Sequence, residues 1–186
     1  RPLAALFHGA GAGELRSPIA GSTREHRMLL DETAEGVYAI AATPFLPDGK
    51  VDMESVDRMT DFYRRCSVTG LTILGIMGEA PKLDETEALA ITKRVAGRAS
   101  VPVVVGVSAP GFAAMRALAR GAMERGAAGV MIAPPPSLRT DEQIVAYYAQ
   151  AVEAIGTDIP FVVQDYPLAL SVIMTPKVIR QIVQNH

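Results

Sequence analysis

The sequence contains a single cysteine, Cys66, and this excludes a disulfide framework. We therefore expect a reducing, cytoplasmic environment and a buried structural role for this thiol. Basic residues are not in excess, because the formal net charge is −2 at pH 7, so nothing favours nucleic acid or anionic lipid as a partner. The sequence also lacks an apolar run of about 18 residues, so we predict no membrane span.

Histidine is scarce as well, with only His8, His26 and His186. None of them has a spacing to Cys, Asp or Glu that is typical of a metal site, and no Ser-His-Asp arrangement is supported. A glycine-rich stretch at residues 9–14 has the outline of a dinucleotide loop, but Glu14 occupies the third glycine position and no strand precedes it. We predict neither a metal nor a cofactor.

Two regions differ in pattern, a leader at residues 1–35 and a domain at residues 36–186. The leader begins with Arg1 and not with methionine, so we expect that something upstream is missing or was removed. Its first 21 residues are rich in Gly, Ala and Pro without a clear period, which indicates a flexible segment. Residues 22–35 mix charged and apolar residues and are compatible with a short helix.

The domain repeats a strand followed by a helix five times, about every 30 residues. This alternation predicts a parallel sheet covered by helices. Five strands fit an open flavodoxin-like sheet or part of a (β/α)₈ barrel, and the count alone favours the open sheet. The predicted strands are 37–42, 71–75, 103–107, 129–133 and 161–164, and the predicted helices are 52–66, 85–98, 111–125, 140–155 and 175–186.

The stretch 71–87 is the most informative part of the chain. A short apolar run ends at Gly75 and Gly78, which allow a sharp turn, and a helix capped by Asp84 follows. In parallel α/β folds, ligands bind at the carboxyl ends of the strands, where this turn is predicted to lie. The turn is therefore a candidate ligand site.

Four motifs occur in an order that resembles a known family. They are Ala-Thr-Pro-Phe at 42–45 with Asp-Gly-Lys-Val-Asp at 48–52, Gly-x-x-Gly-Glu at 75–79, Gly-Ala-Ala-Gly-Val at 126–130, and x-Asp-x-Pro at 164–167. Residues 36–184 thereby resemble the first five βα units of the dihydrodipicolinate synthase / N-acetylneuraminate lyase family. The resemblance implies an α/β fold of the (β/α)₈ TIM-barrel type, truncated here to about five βα units.

The resemblance also implies a function. Members of this family are class I lyases, aldolases and hydro-lyases, that act on pyruvate and other 2-keto acids through a Schiff base with a lysine on the sixth strand. By the same resemblance, Thr43 and the loop residues Gly75, Ile76, Met77 and Gly78 would bind the substrate. The open edges of a partial barrel invite pairing with another chain, so we expect a homo-oligomer.

The sequence departs from the family at the Schiff-base position. The chain ends after the fifth helix, so we expect the sixth strand and its lysine to be absent and this chain to be inactive. The four lysines, predicted in two loops, a helix and a helix start, are Lys50, Lys82, Lys93 and Lys177.

It departs again inside the motifs. Ile76 and Met77 replace threonines that are common in the family; either they pack, or they leave only backbone N–H groups to bind a carboxylate. Gln164 aligns with the family's proton-relay tyrosine, and Tyr166 is a candidate substitute. Asp165 is interpreted either as a turn residue that accepts backbone N–H bonds or as a residue that positions a sugar hydroxyl.

The Gln-Asp-x-Pro motif resembles the branch that contains 2-keto-3-deoxy-sugar-acid dehydratases. Glutamine cannot serve as a general acid or base near neutral pH, but it can orient water or a substrate hydroxyl. The alternative to the lyase hypothesis is a non-catalytic flavodoxin-like binding module. That module would carry an acidic cluster or phosphate-binding glycines after its first strand, and residues 42–45 supply neither.

Overall fold

A computed structural model describes residues 29–186 and shows five parallel strands in the order β1-β2-β3-β4-β5. This sequential order is that of a barrel segment, and it rules out the flavodoxin-like order 2-1-3-4-5. The strands are β1 (Tyr38–Ile40), β2 (Gly70–Ile73), β3 (Val103–Gly106), β4 (Gly129–Ile132) and β5 (Phe161–Val163). The helices are α1 (Met53–Arg65), α2 (Glu85–Ala96), α3 (Phe112–Glu124), α4 (Asp141–Ile155), α5 (Pro167–Leu170) and α6 (Pro176–Asn185), with a 3₁₀ turn at Ala80–Lys82.

Side-chain caps start four of the described helices, α1, α2, α4 and α6, where the sequence predicts them. The Asp84 carboxylate accepts a hydrogen bond from the N–H of Glu87 at 2.8 Å, and the Glu87 carboxylate accepts one from the N–H of Asp84 at 3.1 Å. Thr140 and Gln143 form the same reciprocal box at the start of α4. The short helix α5 was not predicted.

Alternate residues of each strand lie on opposite faces of the sheet. Val103 and Val105 belong to the apolar core shared with the helices. Val104, between them, lies on the other face, which we call the axial face, and its neighbours there in register are Thr72 and Gly129. Thr72, Val104 and Met131 are all buried on this face, so the inner strands are covered on both sides.

A segment that we call the strap, residues 29–37, crosses the amino ends of the strands. The N–H of Leu30 donates to the carbonyl of Ala128 at 2.9 Å, and the N–H of Val37 donates to Oγ1 of Thr69 at 3.0 Å. The first part of the predicted leader, residues 1–28, lies outside the described residues. The described part of the suggested helix, residues 29–35, forms a turn and no helix.

Cys66 is exposed, so the expectation of a buried thiol was wrong. The helix α1 ends one residue earlier, and Cys66 caps it just before Ser67, whose φ is 54°. In the described part of the chain, no helix combines the length and the apolar character that a membrane crossing requires.

Candidate active site

The loop 75–78 lies at the carboxyl end of β2 and is flanked by two residues in left-handed conformations. Leu74 has φ 56° although its side chain is buried, and Glu79 has φ 53°. Such values are uncommon for residues other than glycine and concentrate at functional sites. Gly106 makes the arrangement possible, because a Cβ at this position would lie 2.0 Å from the carbonyl oxygen of Leu74.

The backbone of this loop is available to an anion. None of the four N–H groups at residues 75–78 donates a hydrogen bond to an acceptor within residues 29–186. The carbonyl of Gly78 accepts a hydrogen bond at 2.6 Å from the buried hydroxyl of Thr43, which joins the loop to the end of β1. Successive free N–H groups in a tight turn form an anion-binding concavity, and a carboxylate fits it. The neighbouring Glu79 is paired with Lys82, which offsets its negative charge.

Gln164 is brought beside this loop. Its N–H donates to the carbonyl of Ile132 at 2.9 Å and so continues the pairing of β5 with β4. Its side-chain Nε2 lies 4.0 Å from the point that a Cβ on Gly75 would occupy, and Cε of Met131 lies 2.9 Å from the same point. Because the amide makes no hydrogen bond within the described chain, it is free to orient a ligand.

The other predicted site residues have different surroundings. Tyr166 is 45 % exposed and lies past the end of β5 at the cap of α5, so it does not share a strand face with Gln164. Asp165 is exposed and accepts no hydrogen bond from residues 29–186. Met77 is 56 % exposed, whereas Ile76 is partly buried.

Two polar residues that the sequence analysis missed hold the carboxyl end of β4. Oγ of Ser108 accepts a hydrogen bond from the N–H of Ala133 at 2.8 Å, and the hydroxyl of Tyr147 donates to the carbonyl of the same residue at 3.3 Å. Burial raises the pKa of Tyr147 to about 12, so this phenol stays neutral at physiological pH. The alternation from Val104 could have revealed Ser108, which lies two residues past the end of β3 and has the same parity as Val104.

All four lysines are exposed and none lies on a strand, although Lys82 ends the 3₁₀ turn and does not lie in a plain loop. A nucleophilic lysine needs a desolvated pocket, which these positions lack. Across residues 29–186, no group of three or more His, Cys, Asp and Glu side chains is placed to hold a metal ion.

Comparison with known proteins gives one consistent result. The profile of the Dihydrodipicolinate synthetase family matches residues 33–186. A crystal structure of dihydrodipicolinate synthase from Rhodopseudomonas palustris is 64 % identical and superimposes with a TM-score of 0.82, covering 85 % of this chain and 53 % of that one.

Curated relatives agree at lower identity. The 4-hydroxy-tetrahydrodipicolinate synthase of Sorangium cellulosum is 33 % identical over 135 residues, which are 71 % of this chain and 44 % of that protein. The enzyme of the same name from Xanthomonas axonopodis pv. citri is 31 % identical over 153 residues, 80 % of this chain and 49 % of that protein. The chain thus spans about half the length of the relatives it matches.

Proposed function

Because the chain belongs to the Dihydrodipicolinate synthetase family, we propose that its protein is a class I lyase that joins or splits 2-keto acids, pyruvate or a 2-keto-3-deoxy sugar acid. The observation that carries this proposal is the loop 75–78, whose N–H groups are unengaged and whose position is fixed by the Thr43 hydroxyl. This loop would bind the carboxylate of the keto acid, which orients the neighbouring keto carbon for attack.

The attack itself requires a lysine that residues 29–186 do not place in the site. In the proposed reaction, a neutral amine adds to the keto carbon, and the keto oxygen leaves as water with one proton from the amine and one from solvent. The resulting protonated imine withdraws electrons from the bond that breaks. We propose that the complete protein supplies this lysine outside the five βα units and that the 186-residue chain alone forms no Schiff base.

Borohydride trapping tests this statement directly. The chain is incubated with pyruvate and borohydride, and any adduct is located by peptide mass. We expect no stoichiometric adduct, because the four lysines are exposed to solvent. A site-specific adduct on one of them would show that the chain itself carries the nucleophile.

For the complete protein we propose a preference for a 2-keto-3-deoxy sugar acid over condensation of pyruvate with aspartate semialdehyde. A tyrosine relay moves protons in aldol chemistry, and Gln164 cannot replace it. Dehydration suits this site, because the leaving hydroxyl belongs to the substrate and the free amide of Gln164 can hold it. The names of the curated relatives favour the condensation, so an assay must compare both reactions.

That assay uses the whole reading frame of the gene, with Gln164→Ala and, as a matched control, Gln150→Ala on the exposed side of α4. We expect turnover of the sugar acid to fall about fivefold in Gln164→Ala, the size of one lost hydrogen bond, and to stay unchanged in the control. Efficient condensation with aspartate semialdehyde, or an unchanged turnover in Gln164→Ala, would reject the preference.

A further inference from the structure

The strand register brings three side-chain positions into one row above the axial face. Gly106 pairs with Met131, and Met131 pairs with Val162. Two residues further along each strand, the same register places Ser108, Ala133 and Gln164 side by side. Hydrogen bonds connect this row on both sides of β4. The Oγ of Ser108 accepts one from the N–H of Ala133, and the N–H of Gln164 donates one to the carbonyl of Ile132.

The chemistry of this row is polar at both ends and small in the middle. Neighbouring strands lie about 4.8 Å apart, so Ser108 and Gln164 stand about 10 Å apart across the methyl group of Ala133. Parity assigns Ser108 to the axial side, because Val103, Val105 and Val107 belong to the core on the helix side. The row lies beside the carboxylate loop, because Nε2 of Gln164 is 4.0 Å from the point that a Cβ on Gly75 would occupy.

Ser108 also retains an unused donor. Its oxygen accepts the hydrogen bond from Ala133, but its own hydroxyl proton goes to no acceptor within the part of the chain that the structure describes. The side chain is exposed, so a ligand can reach it. A hydroxyl group that already accepts one hydrogen bond donates the more readily to a second oxygen.

We propose that Ser108 is a substrate-binding residue that donates a hydrogen bond to a hydroxyl of a hydroxylated 2-keto acid. This inference rests on the proposed function, since the carboxylate of the same ligand lies on the loop 75–78. The ligand would extend from that loop over Ala133, with the amide of Gln164 on one side and the hydroxyl of Ser108 on the other. Pyruvate has no hydroxyl and gains nothing from Ser108.

The test measures binding of two ligands to the 186-residue chain, pyruvate and 2-keto-3-deoxygluconate. Amide NMR spectra of the labelled chain give both dissociation constants for the wild type, Ser108→Ala and Ser108→Thr. The matched control is Ser100→Ala, an exposed serine that precedes the other end of the same strand.

We expect Ser108→Ala to weaken the sugar acid about fivefold and to leave pyruvate within about twofold. Ser108→Thr, which keeps the hydroxyl, and Ser100→Ala should match the wild type. Should Ser108→Ala not fold, the wild type alone decides: the amide signals of Ser108 and Ala133 shift with the sugar acid and stay in place with pyruvate.

The outcomes separate this inference from the proposed function. If Ser108→Ala weakens the binding of both ligands equally, Ser108 has a purely structural role. If it does not weaken the binding of the sugar acid, Ser108 has no role. Either result overturns the inference, whereas binding of pyruvate in the same experiment still supports the carboxylate loop. If neither ligand shifts the amide signals of residues 75–78 in the wild type, both the proposed function and the inference that rests on it are wrong.

Discussion

The three inner strands and the two edge strands of this sheet are all mainly apolar, but their surroundings differ greatly. β2 and β4 are buried at every residue, whereas β1 and β5 contain no fully buried residue. The large apolar side chains that remain exposed follow the same division. All except Leu29 and Met77 belong to the first or the fifth unit: Val37, Ile40, Leu46, Phe62, Val162, Tyr166, Leu168, Ile173 and Val183.

The difference shows that burial in this fold is decided by neighbours and not by the strand sequence alone. Ile40 and Val162 are β-branched residues with the same parity as Val104, but each has a paired strand on one side only. Unpaired edges with apolar side chains favour pairing with another chain. The inner strands position the loop and the edge strands provide Thr43 and Gln164, so the site depends on both regions.

Self-association is the largest effect that we expect from the edges. The 186-residue chain should sediment faster than a monomer, and the double substitution Ile40→Lys with Val162→Lys should shift it to the monomer, because lysine on an edge opposes strand addition. Ala90→Lys, on the exposed side of α2, is the matched control and should leave association unchanged. A monomeric wild-type chain in sedimentation velocity would remove the basis of the comparison.

Within the inner strands, Gly106→Ala should be the most damaging single substitution. The added Cβ would meet the carbonyl oxygen of Leu74 at 2.0 Å, and a backbone atom cannot swing aside as a side chain can. We expect the free energy of unfolding to fall by about 3 kcal/mol in urea titrations.

Gly111→Ala is the control for that substitution, because no atom lies within 4 Å of the Cβ it would add. Its stability should stay near that of the wild type. Equal stability of the two variants would mean that the loop can move away from β3 at little cost.

Two valines compare the inner and edge strands directly. Val130 is 0 % exposed on β4, and Val162 is 40 % exposed on β5. Val130→Ala should lower the free energy of unfolding by about 2 kcal/mol, and Val162→Ala by less than about 1 kcal/mol. A similar loss at both sites would indicate that β5 is covered in solution, for instance by a second chain.

The smallest effect concerns the ion pairs that join the edge helix α1 to the inner helix α2. Arg94 donates to both carboxylate oxygens of Asp57, at 2.7 and 2.6 Å, and this contact holds the pKa of Asp57 below its ordinary value of 3.8. A lowered carboxyl pKa stabilises the fold above the ordinary value, and the contribution is lost as the pH falls through the lower folded value.

Asp57→Asn should therefore destabilise the chain slightly at pH 7 and reduce the loss of stability on acidification below about pH 4. Urea midpoints across that range provide the measurement. Glu153→Gln, at an exposed position of α4, is the control. An acid dependence identical to that of the wild type would show that the pair does not form in solution.

Local signals in the sequence were sufficient for most of the fold. The capping boxes at Asp84 and Thr140 and the short apolar runs predicted the helix starts and the strands, because caps and periodicity act over a few residues. The exposure of Cys66 was not predictable in this way, since it depends on what covers the end of α1.

The candidate site was predictable only in part, for the same reason. The glycines at 75 and 78 identified the loop from the chain itself. The contacts of Met131 and Ser108 depend on how β3, β4 and β5 align, and alignment between strands is set by long-range pairing. The surroundings of Tyr166 depend on the short helix α5, which begins at Pro167 and was not predicted from the sequence.

The strap has a consequence for the order in which the protein can be completed during synthesis. Leu30 is made about a hundred residues before Ala128, the residue whose carbonyl it binds. The side chain of Leu30 also packs on Gly129. At roughly 5–20 residues per second, that delay is about 5–20 s. Val37, at the other end of the strap, can bind Thr69 much earlier, so only the amino end of the strap must wait for the fourth strand to be made.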